Sequence, residues 1–276
     1  MNRTGLSFLV LAAFAAGCSH AGSDEHAWEW TTEIPPGSTV HFRDGVGDIT
    51  VRQAPAGRLA TVTASRTWKR SRERDVDFVV TQQGNDFYVC AMWKGSGRCG
   101  DGGYRGRRTG GILEAFALFR RSSDATANFV AQLPADVFVD ALTTSGSVDV
   151  EGVSSGVTAK STNGTVSAAH VSGPMTLSTV NGNVRLSVDN VSASDSIHLR
   201  TTNGMITAEL PPNIDGMFDL AVTNGVVRTD LPINGDKAQR AGRRLHGQIG
   251  TSNRVVRMRT TNGTLSVTTR AVSTSH

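Results

Sequence analysis

Ser161-Thr162-Asn163-Gly164-Thr165-Val166-Ser167 contains the phrase that decides the fold. Thr-Asn-Gly recurs as Thr202-Asn203-Gly204, Thr223-Asn224-Gly225 and Thr261-Asn262-Gly263. Two near copies are Thr144-Ser145-Gly146 and Val180-Asn181-Gly182. Successive glycines lie 18 (164−146), 18 (182−164), 22 (204−182), 21 (225−204) and 38 (263−225) residues apart. A period of about 20 residues marks an architecture of stacked repeats.

Aligned on the glycine, the copies share columns. Two residues after it stand Val148, Val166, Val184, Ile206, Val227 and Leu265. Five before it stand Ala141, Ala159, Leu177, Leu199, Leu220 and Met258, and seven before it Val139, Val157, Met175, Ile197, Phe218 and Val256. Between these lie polar residues, among them Asp140, Thr158, Thr176, His198, Asp219 and Arg257. A period of two on both sides of a turn gives two strands per repeat, each with one dry and one wet face. One such unit cannot bury its apolar face, but stacked neighbours can. The expected fold is therefore all-β, a single-domain β-solenoid over residues 28–270. A series of Asn-Gly hairpins is the rival, and the constant columns favour the solenoid. Roughly ten coils at ~4.8 Å would make a rod about 50 Å long.

The corners fall at Gly47, Gly146, Asn163-Gly164, Asn181-Gly182, Asn203-Gly204, Asn224-Gly225 and Asn262-Gly263. Glycine accepts positive φ, and asparagine tolerates the left-handed region better than most residues. The asparagines are also placed to stack as a side-chain hydrogen-bond ladder. Gly47, followed by Ile49 and Val51, repeats the register upstream, so the N-terminal part belongs to the same body. The 38-residue interval reads as one coil plus an insertion. Two stretches break the rule: the Gly-rich, basic and then apolar residues 94–125, and the basic loop within 232–252.

The first residues are of another kind. Arg3 precedes an apolar run, Leu6 to Ala16, that is too short to span a membrane. Ala15-Ala16-Gly17-Cys18 resembles a bacterial lipobox. That resemblance implies cleavage before Cys18, lipid on Cys18, and by Ser19 an outer-membrane destination. A plain secretory signal is the rival reading. Residues 1–17 are then a lipoprotein signal peptide, 18–27 a polar tether and 271–276 a disordered tail. In an exported chain Cys90 and Cys99, across a Gly-rich bend, read as a disulfide. Two thiols without a nearby histidine fall short of a zinc site.

The remaining composition gives no catalytic constellation. The seven histidines show no metal-ligand spacing, and there is no Gly-x-Ser-x-Gly elbow or phosphate loop. Acidic residues are not paired along an outward column. No enzyme, metal or cofactor is expected. The chain carries a formal net charge of +4. Basic residues cluster at Arg66, Lys69, Arg70, Arg72 and Arg74 and in the two excursions, with Arg105, Arg107, Arg108, Lys237, Arg240, Arg243 and Arg244 as candidate contacts to anionic envelope surfaces. Nucleic acid is a poor fit for an exported chain. The repeated Val/Thr-Asn-Gly turns, the Gly47-Asp48-Ile49-Thr50-Val51 segment and the Cys90…Cys99 segment resemble the bacterial "putative adhesin" family. That resemblance implies a β-solenoid envelope domain with no catalytic residues to carry over. The expected function is a non-catalytic envelope lipoprotein whose solenoid binds or scaffolds, with envelope glycans or envelope proteins as partners. The alternatives are a polysaccharide-acting enzyme on the same scaffold, and a ligandless accessory of the envelope.

Overall fold

Valine, threonine and serine in alternation favour strands, and the chain forms eighteen of them with no helix among the described residues. The computed structural model describes residues 22–68, 76–93, 98–100, 125–192, 194–233 and 243–270. β1 (Gly22–Glu33), β2 (Thr39–Arg43), β3 (Ile49–Gln53), β4 (Leu59–Trp68), β5 (Val76–Gln83) and β6 (Asp86–Trp93) come first. β7 (Ala125–Leu133) leads into pairs around the corners: β8 (Phe138–Leu142) with β9 (Val148–Glu151), and β10 (Val157–Lys160) with β11 (Val166–Ser172). The pairs continue with β12 (Met175–Ser178) and β13 (Val184–Asn190), then β14 (Ile197–Asn203) and β15 (Ile206–Leu210). β16 (Gly216–Thr229) and β18 (Val255–Thr269) each run through a corner, and β17 (Arg244–Ile249) lies between them in sequence.

Like positions pair in parallel, as the columns require. Val139, Val157, Met175, Ile197, Val256 and Phe218 follow one another across the sheet of strands that precede the glycine. Val148, Val166, Val184, Ile206, Leu265 and Val227 do the same in the sheet that follows it. Nearly all of these side chains are fully buried between the two sheets. Each such aliphatic side chain contributes about 1.5–3 kcal/mol by burial. The fold is the expected β-solenoid.

The stacking order departs from the chain order at both ends. β2 and β3 lie between β6 and β7 on one side and β8 and β9 on the other. β18 lies between β14 and β15 on one side and β16 on the other. The stack is therefore β6–β7, β2–β3, β8–β9, β10–β11, β12–β13, β14–β15, β18 and β16. That is eight coils, about 35 Å from first to last, and fewer than the ten expected. The 38-residue interval is not a coil with an insertion. It is the chain passing over the end coil β16, adding β17, and returning one place inward.

Antiparallel strands close the ends. β4 pairs with β7 and β1 with β4, β5 pairs with β6, and β17 pairs with β16. Two expected boundaries move. The tether assigned to residues 18–27 is partly strand, because the long edge of β4 extends to Trp68 and Gly22 pairs with it. The irregular region assigned to 232–252 contains β17, whose Leu245 and Ile249 pack against the core. Of the 94–125 excursion, Ala125 begins β7, while 94–97 and 101–124 lie outside the described residues. The signal peptide, Cys18 and the tail 271–276 also lie outside them.

The corner glycines serve a closer contact than the expected turn chemistry. Gly146 has φ +152°, and a Cβ there would stand 1.9 Å from the carbonyl oxygen of Gly47 in the neighbouring coil. The asparagines do not take the left-handed conformation. Among the described residues the non-glycine with positive φ is His170, at 53°. It sits where β11 shifts register against β13 between Ala168 and Val171.

Candidate binding surface

The corner asparagines form the ladder that their spacing suggests. Asn181 Nδ2 donates to Asn163 Oδ1 at 2.8 Å, and Asn203 to Asn181 at 2.8 Å. Asn262 donates to Asn203 at 2.7 Å, and Asn224 to Asn262 at 2.8 Å. The ladder follows the stack, with 262 before 224. Behind it runs a hydroxyl row that sequence reading missed, three residues before five of the corner glycines, with Asp44 before Gly47 and Val222 before Gly225 as the exceptions. Thr143, Ser161, Thr179, Thr201 and Thr260 are buried, and each donates to the carbonyl of the corner glycine one coil away, at 2.8–3.0 Å. The signal was present as a fourth column of Thr and Ser.

Asp44 occupies that position in the β2–β3 coil and is 1% exposed. Burial pushes its carboxyl well above the ordinary value of 3.8, and the nearby Asp48 charge adds to this. The Gly45 and Val46 amides offset part of it without a well-formed hydrogen bond to either oxygen.

The outward rows carry three polar clusters. Near the N-terminal end His41 stacks on Tyr88 with ring centroids 4.3 Å apart, and its Nδ1 donates to Asp140 Oδ2 at 2.7 Å. Arg43 Nη2 donates to the same oxygen at 2.5 Å. Burial raises the Asp140 pKa, but the His41 hydrogen bond and the Arg43 charge outweigh it, and the net value is lowered. The row neighbour across from Asp140 is Thr158. No serine or cysteine nucleophile is within hydrogen-bond distance of the imidazole among the described residues. On the opposite face Asp149 and Glu151 both hold Arg52, at 2.6 and 3.1 Å. These acids are neutralised by ion pairing rather than free for acid–base work.

The third cluster lies towards the C-terminal end. Asp219 of β16 holds Arg259 Nη2 at 2.5 Å and Arg257 Nε at 3.3 Å, both from β18. Burial raises the Asp219 carboxyl, but the hydrogen bond from Arg259 and the charges of Arg259, Arg244 and Arg257 bring it below the ordinary value. Arg244, at the start of β17, stands opposite Ala221, and Arg200 of β14 stands directly opposite Arg259. Arg200, Arg243, Arg244, Arg257 and Arg259 are all exposed. Of the seven candidate basic contacts, Arg244 therefore joins a cluster with arginines of the repeat itself, and Arg243 is exposed next to it in sequence. Arg105, Arg107, Arg108, Lys237 and Arg240 lie outside the described residues.

Cys90 and Cys99 form the expected disulfide, with Cα atoms 5.8 Å apart. Arg254 carried no sequence signal, yet it is 4% exposed and ties two turns together. It donates to the Val191 carbonyl at 2.9 Å and to Asp215 Oδ1 at 2.7 Å. A shallow groove of about 250 Å³ runs across three successive turns, lined by Ser154, Ser155, Ser172, Pro174, Asn190 and Asp195. Among the described residues no group of three His, Cys, Asp or Glu side chains converges as a metal site would require. No helix among them is long and apolar enough to cross a membrane.

These features define a two-sheet β-solenoid with solvent-facing polar rows and no assembled catalytic centre among its described residues. The chain belongs to the Toastrack DUF4097 family, whose model matches residues 122–268. Three solved structures are similar at low identity. A putative cell adhesion protein from Clostridium sporogenes is 12% identical with a TM-score of 0.48, the match covering 88% of this chain and 99% of that one. A putative adhesin from Bacteroides fragilis is 9% identical with a TM-score of 0.35, over 87% and 96%. Another from Parabacteroides distasonis is 10% identical with a TM-score of 0.27, over 90% and 98%. No curated protein matches the chain.

Proposed function

We propose that this protein is a non-catalytic cell-envelope lipoprotein whose solenoid is a rigid binding or scaffolding surface. The observation that carries the reading is the set of solvent-facing rows held at fixed spacing by the Asn ladder and the two parallel sheets. Such a surface repeats one chemistry along one axis, which suits an extended partner rather than a small substrate. Cys18, in a lipobox-like setting after an apolar run, supplies the lipid anchor, and outer-membrane placement follows from Ser19 in the same resemblance. The acids of the His41 and Arg52 clusters are bound in ion pairs, so the geometry gives the enzyme reading no support.

Two measurements test the proposal. A fatty-acid probe fed to cells should label the wild-type chain and leave Cys18→Ala unlabelled; equal labelling would remove the anchor. Cross-linking of the full chain in envelope extracts should recover a defined polymer or protein. Recovery of nothing, at any cross-linker length, would favour a ligandless accessory.

A further inference from the structure

We infer that the basic row across β10, β14, β18 and β17 is a binding site for a linear, carboxylate-bearing polysaccharide lying along the solenoid axis. The inference rests on the binding-surface reading above and names its ligand class. In stack order the row four residues before the glycine reads Lys160, Ser178, Arg200, Arg259, Ala221 and Arg244. Its neighbour row reads Thr158, Thr176, His198, Arg257, Asp219 and His246. Between β10 and β17 these rows thus set Lys160, Arg200, Arg244, Arg257 and Arg259 against a single acid, Asp219; one strand further, in β8, stands Asp140, paired to Arg43. The opposite sheet mixes its signs, with Arg52 among Asp149 and Glu151.

Three observations point to a ligand rather than to a solvated face. Arg200 and Arg259 stand directly opposite each other on adjacent parallel strands, an arrangement of like charges that destabilises a sheet. Asp219 pairs with Arg259, but Arg200 and Lys160 have no ion-pair partner among the described residues. An anion lying over the outward face of these strands would supply one. Asp219 is itself mostly buried, with its side chain 14% exposed, and fixes Arg257 and Arg259 while leaving their side chains 49% and 45% exposed. Guanidinium groups held in this way lose less freedom when a carboxylate binds in a fork.

The shape of the row selects the partner. From β10 to β17 it spans five strand spacings, about 24 Å, in a straight band two side chains wide. Thr158, Thr176, Ser178 and His198 alternate with the cations and offer hydrogen bonds to sugar hydroxyls. Neither row carries a Phe, Tyr or Trp side chain on which bases would stack. A polymer with a carboxylate on successive rings and hydroxyls between them matches this sequence of groups.

The test uses the full chain, purified in detergent, with polygalacturonate as probe, dextran as the neutral polymer and galacturonic acid as the monomer. Polygalacturonate should bind, with an affinity that falls as salt rises. Dextran should not bind, and the monomer at equal carboxylate concentration should compete poorly. Arg200→Gln with Arg259→Gln should weaken binding by about tenfold or more, the scale of losing charged hydrogen bonds. Arg185→Gln, an exposed arginine of the opposite sheet, should bind as the wild type does. The substituted side chains are exposed, so unchanged circular dichroism will confirm folding. Equal binding by the double variant, equal loss in Arg185→Gln, or equal binding of dextran would overturn the inference. If the chain captures a neutral partner from envelope extracts but ignores polygalacturonate, the polyanion site fails and the broader binding-surface reading stands.

Discussion

Asp44 and Val222 are the residues where this fold breaks its own rule, and of the two only Asp44 brings a charge-bearing group into the row. In five other coils the position three before the corner glycine is a buried Thr or Ser that donates to a glycine carbonyl one coil away. An ionised carboxylate cannot donate, and here it is buried without a well-formed hydrogen bond. Its raised pKa means that the folded chain holds this proton more tightly than the unfolded one. The contribution to stability is therefore greatest below the ordinary value near 3.8 and is lost as pH rises towards the folded value. Asp44→Thr should raise the melting temperature at pH 7.5 and flatten the fall in stability above pH 4. A lower melting temperature at pH 7.5 would show that the carboxylate has a role the other coils lack. Glycine substitutions separate the two reasons for glycine. At Gly57, φ is +88° with nothing within 4 Å of a new Cβ, so alanine there costs only backbone strain, about 1–2 kcal/mol. At Gly146 the Cβ would meet backbone 1.9 Å away, and the coils must part. Gly146→Ala should lower the melting temperature several times more than Gly57→Ala, and equal shifts would refute the close-approach reading.

At the scale of the element, β18 shows what a repeat conceals. The strands, faces and corners were legible because a period of two fixes which side chains are buried. The stacking order was not, because columns of near-identical residues let any coil pair with any other. Val256 fits beside Ile197 as well as beside Phe218, and in the structure it pairs with both. The same ambiguity hid the basic row, since Arg200 meets Arg259 only when β18 lies next to β14. β17 was missed for a different reason: its short alternation, with Leu245 and Ile249 inward, is set among arginines and glycines that read as a loop. The position of β18 makes the chain's last strand an interior one. A chain ended after Ile249 would expose the inner rows of β14 and β15 and leave β16 without its parallel neighbour. It should lose cooperative unfolding and become protease-sensitive, although only the last 27 residues (276−249) are gone. A truncated chain that melts as the full one does would contradict the insertion.

For the whole molecule, the exchange of order at both ends alters how a solenoid should unfold. In a stack that follows the chain, the terminal coils touch only one neighbour and fray independently, so stability sums along the array. Here the chain's first corner coil, β2–β3, lies beneath β6–β7, and its last, β18, lies beneath β16. Neither end coil can leave without uncovering a coil from a distant part of the chain, and the Cys90–Cys99 bridge adds a constraint at the N-terminal end. The four tryptophans, Trp28, Trp30, Trp68 and Trp93, all belong to β1, β4 and β6 at that end. Their fluorescence therefore reports one end of the stack, while far-ultraviolet circular dichroism reports all of it. With the disulfide intact, the two signals should give coincident urea transitions with the same midpoint and slope. If the tryptophans instead report a midpoint well below that of the dichroism, the N-terminal coils fray as a separate unit. In that case the interleaving of coils would not couple this end to the rest of the solenoid.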